Sequence, residues 1–112
     1  MKVSRIDIRK TVGKKPVSRD DGKVVYEKIK ELWKKSDQIS VDFANRLIAS
    51  VSFIDQAFGH LALEYPLDEL KRKLRFVGME RYDKALLNDI IVSRVRQKTL
   101  VERGKPRARR AS

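Results

Sequence analysis

Residues 38–65 read QISVDFANRLIASVSFIDQAFGHLALEY, and this stretch decides the fold. Ile39, Val41 and Phe43 alternate with polar residues, the period of a strand with one buried side. Asp42 stands near the C-terminal end of that strand. Residues 44–49 read as a loop. Ser52-Phe53-Ile54-Asp55 places an acid three residues after a hydroxyl, the pattern of a capping box, and an apolar run follows directly. Phe53, Ile54, Ala57, Phe58 and Leu61 recur at helical spacing and are expected to face inward. Gly59 inside that helix costs about 1 kcal/mol against alanine, so it points to close packing against another backbone. A strand, two hydroxyls at Ser50 and Ser52, and then a helix start is the order in which open α/β sheets build a binding edge.

Working outward, Lys2 to Ile8 alternates Val3, Ile6 and Ile8 with charge and reads as a partly solvated first strand. Residues 11–17 hold Gly13 and Pro16 and read as a turn, with a short returning strand as the alternative. Ser18 and Asp21 form another capping pattern. The helix after it runs to about Lys35, with Val25, Ile29, Leu32 and Trp33 as its apolar stripe. Pro66 ends the middle helix and opens a short one, Leu67 to Lys73. Leu74 to Val77 is a further strand, closed by Gly78. Glu80 to Glu102 is a long helix with Leu86, Leu87, Ile90, Ile91 and Val95 inward. The expected division is a domain over residues 1–102 and a basic, flexible tail over residues 103–112. Strands alternating with helices predict a parallel or mixed sheet.

At 112 residues the chain supports one core. Its net charge is +12, unevenly spread. Residues 1–35 carry 12 Lys/Arg against 5 Asp/Glu, residues 36–70 carry 1 against 6, and residues 71–112 carry 14 against 4. The strand, loop and helix of the opening stretch thus lie in an acidic third between two basic ones. Basic surfaces attract nucleic acid and acidic partners over long range. There is no Cys, hence no disulfide framework and no thiolate chemistry. No apolar run is long enough to span a membrane or act as a secretory signal. A soluble cytoplasmic protein is expected.

No catalytic set assembles in the sequence. His60 is the one histidine, and without partners it reads as a packing or surface residue rather than a metal ligand. There is no phosphate-binding glycine loop. A non-enzyme without cofactor or metal is expected. Two compatible roles are open to Ser50 and Ser52. They can hold the loop and cap the helix, or one can accept a phosphoryl group from a partner kinase.

The segments SRDDG (18–22), VDF (41–43), SVSF (50–53), DQAFGHL (55–61) and LRFVGM (74–79) resemble, in order and spacing, the STAS superfamily. The resemblance is closest to its prokaryotic STAS-like branch of unknown function and covers roughly residues 3–95. It implies a small STAS-like α/β domain with a three- to five-stranded mixed sheet and about three main helices, to which this chain adds its basic C-terminal tail. It further implies a regulatory protein-interaction module similar to anti-sigma-factor antagonists, whose partner is an ATP-binding kinase-like regulator. In those antagonists an Asp-Ser-Ser-Gly segment follows the central strand, and its second Ser is phosphorylated. Ungapped alignment from Asp42 puts Ser50, Val51, Ser52 and Phe53 on that segment, with Ser52 on the acceptor. A second alignment puts Ala57 there. Neither keeps the Asp and Gly together. The expected docking residues are Ser50, Ser52 and Asp55.

A second class of function rests on charge. Arg94, Arg96 and Lys98 on the last helix, with Lys105, Arg107, Arg109 and Arg110 in the tail, form a surface for phosphates of DNA or RNA. No aromatic residues interleave them, which argues against a sequence-reading RNA module.

Overall fold

The computed structural model describes residues 1–13 and 16–104. Three parallel strands form the sheet in the order β1 (Val3–Asp7), β2 (Gln38–Asp42), β3 (Leu74–Val77). The central place belongs to β2, with Ile6 beside Val41 and Val41 beside Phe76. The alternation in each strand has a direct structural consequence. Ile6, Ile39, Val41 and Leu74 are buried, while Val3, Arg5, Arg75 and Val77 are exposed. The helices therefore cover one face and leave the other to solvent. Parallel sheets are usually covered on both faces, and their strands are then apolar throughout; these strands alternate.

The sheet is parallel throughout rather than mixed, and among the described residues of 11–17 no returning strand forms. A short helix, α1 (Ile8–Val12), stands there instead. Its cause is local. The Asp7 carboxylate accepts the Lys10 amide hydrogen at 3.3 Å, Thr11 Oγ1 donates to the Asp7 carbonyl at 2.8 Å, and Ile8 and Val12 bury one turn apart.

Helix α2 (Arg19–Trp33) starts as the sequence predicts. Ser18 accepts the Asp21 amide, and the Asp21 carboxylate accepts the Ser18 amide hydrogen at 2.9 Å. Gly22, which by itself weakens this first turn, is buried there. A Cβ at Gly22 would stand 2.6 Å from the Phe53 carbonyl oxygen, so the glycine lets two helices meet backbone to backbone.

After β2 the chain enters a helical rod made of α3 (Val51–Ile54), a π-helical segment Asp55–Gly59 and α4 (His60–Glu64). Phe53, Ile54, Ala57, Phe58 and Leu61 are all fully buried. Phe58 packs edge-on against Phe76 at 5.1 Å and near Phe43 at 6.0 Å. Two helices complete the layer, α5 (Leu67–Lys73) and α6 (Arg81–Gly104). Trp33 stacks on Tyr65 at 4.2 Å and its indole donates to Glu69 at 3.0 Å, which ties α2 to the rod's end and to α5. Tyr26 and Lys30 both hydrogen-bond Glu64. Burial, then the Glu64 hydrogen bond, pushes the Tyr26 phenol up to about 12. His60 lies edge-on to Tyr26 at 6.1 Å.

Candidate functional site

Parallel strands deliver their C-terminal ends to one edge. At this edge the loop from β2 to α3, residues 43–50, meets the turn from β3 to α6. Asp42 anchors the crossing. Its Oδ1 accepts the Ala44 amide hydrogen at 2.8 Å, and its Oδ2 pairs with Arg5 at 2.6 Å. The Ala44 hydrogen bond first, then Arg5, holds the Asp42 carboxyl below its ordinary range. Phe43 donates its amide to the Val77 carbonyl at 2.8 Å, and Asn45 to the Gly78 carbonyl at 2.7 Å. Gly78 has φ +62°, and a Cβ there would stand 3.0 Å from the Asn45 nitrogen. The turn therefore requires glycine on both conformation and space.

The loop itself is wound tightly. Ala44, Asn45 and Ala49 take left-handed backbone angles at φ 52°, 60° and 49°, costly for residues with a Cβ and sustained only where surroundings fix them. Asp42 and Gly78 supply that fixing at Ala44 and Asn45, and Asp83 supplies it at Ala49. Asp83 lies in the first turn of α6 and is fully buried. Its carboxylate accepts the Ile48 amide at 2.6 Å and the Ala49 amide at 2.8 Å. Arg46 reaches across to the Gly13 carbonyl at the end of α1. Sequence reading missed Asp83 as a site residue. The available signal was its position: it precedes Leu87 and Ile90 at helical spacing, an acid on an apolar stripe.

Ser50, not Ser52, caps the helix. Ser50 Oγ accepts the Phe53 amide hydrogen at 3.2 Å, and α3 begins at Val51. The Ser52–Asp55 capping box expected from the sequence does not form. Ser52 sits inside the first turn, with its Oγ 3.4 Å from that of Ser50. Both serines are half-buried. Leu47 and Val51, on either side of Ser50, are 55% and 60% exposed. Beside them a concavity of about 450 Å³ is lined by Pro16, Val17 and residues 46–50.

Asp55 makes its own connection. Arg94 of α6 grips it with two bonds, Nε to Oδ1 at 2.7 Å and Nη2 to Oδ2 at 2.5 Å. The Arg94 guanidinium holds the Asp55 carboxyl below its ordinary range, although burial opposes this. The carboxylate occupies the space a Cβ would take at Gly59, and Ile90 Cγ2 lies 2.9 Å from that same point. Gly59 thus marks close packing, against side chains rather than a backbone. Such π-helical turns often accompany functional positions.

The structure separates the remaining predicted residues. Arg94 is turned inward to Asp55, while Arg96 is exposed and Lys98 half-buried on α6. Lys105, Arg107, Arg109 and Arg110 lie outside the described residues. Among the described residues no group of three His, Asp or Glu side chains is placed to hold a metal ion, and no helix is long and apolar enough to cross a membrane.

No curated protein and no solved structure gives a significant match to the chain. A family profile does. It matches residues 21–84, from the first turn of α2 through β2, the serine loop and β3 into the start of α6. The matched span includes Asp42, both serines, Gly78 and Asp83. With its three parallel strands and helical layer, the chain belongs to the family of STAS-like domains of unknown function (DUF4325).

Proposed function

We propose that this chain is a regulatory protein-interaction module that docks a protein partner at the loop and helix start around Ser50, Ser52 and Asp55, without turning over a substrate. One observation carries the reading: two exposed aliphatic side chains, Leu47 and Val51, flank two hydroxyls on a loop held from beneath by a buried carboxylate. Exposed aliphatic groups on a pre-formed, rigid backbone lose little freedom on binding, which favours a protein surface as the occupant. The resemblance to anti-sigma-factor antagonists names the partner class, an ATP-binding kinase-like regulator, and makes Ser52 the candidate acceptor. Capping does not occupy Ser52, because Ser50 does that work. The test is affinity capture from the native host followed by mass spectrometry, with Leu47→Asp/Val51→Asp beside wild type and a search for phosphate on Ser50 and Ser52. A partner recovered equally with both baits contradicts the docking edge.

A second reading, nucleic-acid binding, rests on the excess of 14 basic over 4 acidic residues in residues 71–112. Removing residues 105–112 should then lower DNA or RNA affinity and flatten its salt dependence in a gel-shift series. Unchanged binding removes the tail from that role.

A further inference from the structure

The sheet stops at β3, and among the described residues no strand lies beyond it. A groove of about 650 Å³ runs there between β3, α5 and α6. Leu70, Phe76, Leu87 and Ile91 line it with apolar surface. Val77 and Val92 on its walls are 45% and 42% exposed. Every charged side chain lining it is basic: Lys71, Arg75 and Lys84. It shares no lining residue with the concavity at the serine loop.

We propose that this groove is a second docking surface, which takes an extended acidic segment of a partner protein as a fourth strand. The segment's backbone pairs with the free edge of β3. Its alternate apolar side chains enter the groove, the acidic ones between them point to the open face beside Arg75, and Lys71 and Lys84 on the groove's helical walls add attraction over longer range. An open strand edge beside an apolar channel is the setting for strand addition, in which backbone bonds give affinity and the channel selects side chains. Charge selects the occupant. A second copy packed across a two-fold axis brings the same three cations face to face. Residues 103–112 of this chain carry five basic residues and no acid, and the same rim repels them. An acidic segment meets no such opposition.

The test uses fluorescence anisotropy on the full chain with three labelled peptides: one alternating glutamate and valine, its lysine and valine counterpart, and residues 103–112. The glutamate peptide should bind at least about tenfold tighter than the lysine peptide, with affinity falling as salt rises. Val92→Asp should weaken it by about tenfold or more. Lys71→Glu with Lys84→Glu should reverse the order, a gain of affinity for the lysine peptide that a misfolded variant cannot produce. Equal binding of the two alternating peptides, or binding of neither, overturns the proposal. Preferred binding of residues 103–112 reassigns the groove to this chain's own tail. A dimer in sedimentation that Val92→Asp dissolves reassigns it to a second copy.

Discussion

The Asp83 carboxylate accepts the amide hydrogen of Ile48 at 2.6 Å, and both groups are buried. A residue at the start of the last helix thereby sets the backbone that presents Ser50 and Ser52. The neighbouring Ala49 amide shares the same carboxylate. Asp83→Ala leaves the buried Ile48 amide and the part-buried Ala49 amide without their acceptor, at about 1–3 kcal/mol for a buried unsatisfied group and less for one that water can reach. The expected loss is about 3 kcal/mol in urea unfolding. Hydrogen exchange should report it locally, with the Ile48 and Ala49 amides losing protection before those of β2.

Gly22 tests the approach of α2 to the helical rod. Its missing Cβ leaves room for the Phe53 carbonyl, 2.6 Å away, and backbone cannot move aside as a flexible side chain can. Gly22→Ala should therefore destabilise by about 2 kcal/mol, although alanine is the better helix former. A neutral or stabilising result would show that α2 shifts freely on the rod.

The Asp55–Arg94 pair makes a prediction in pH. The folded-state pKa of Asp55 lies below its ordinary value of 3.8. Its contribution is therefore present above 3.8 and lost as pH falls through the lower folded value. Arg94→Gln should cost about 2 kcal/mol at neutral pH, the range for hydrogen bonds to a charged group. The gap between variant and wild type should close below pH 3.8. Urea titrations at neutral and strongly acidic pH measure both ends, and a gap constant with pH would contradict an ionic role.

Much of this fold was legible because its signals are local. The alternation of Ile39, Val41 and Phe43 marks a strand wherever it packs. Ser18 with Asp21 forms a cap from four consecutive residues. Where reading failed, a distant residue decided between local options. Ser50 and Ser52 both precede apolar helical runs, and Asp83, 35 residues away from Ile48, fixes the loop from which Ser50 becomes the cap. Asp55 reads as a capping acid, yet its charge goes to Arg94, 39 residues on. Helix α1 was hidden for another reason: Ile8 and Val12 give a single turn's worth of periodicity, too little to outweigh Gly13 and Pro16. Three strands lie within the predicted range, but the sheet is parallel where a mixed one was expected, because strand direction and sheet edge are not written in any one segment.

Ser52→Glu separates stability from docking. A negative charge in the first helical turn is favourable by about 0.3–1 kcal/mol, so this variant should fold at least as well as wild type. The same charge stands beside Leu47 and Val51 on the surface assigned to the partner. Any loss of binding is then a surface effect rather than a folding defect.

The most direct measurement is calorimetric titration of the captured partner, purified, against wild-type chain and Val51→Asp. Val51 touches solvent over more than half its surface, so the substitution leaves the core alone. Affinity should fall at least about tenfold, as expected for a charge placed in an apolar contact. Equal affinity for the two chains would contradict the serine loop as the docking edge.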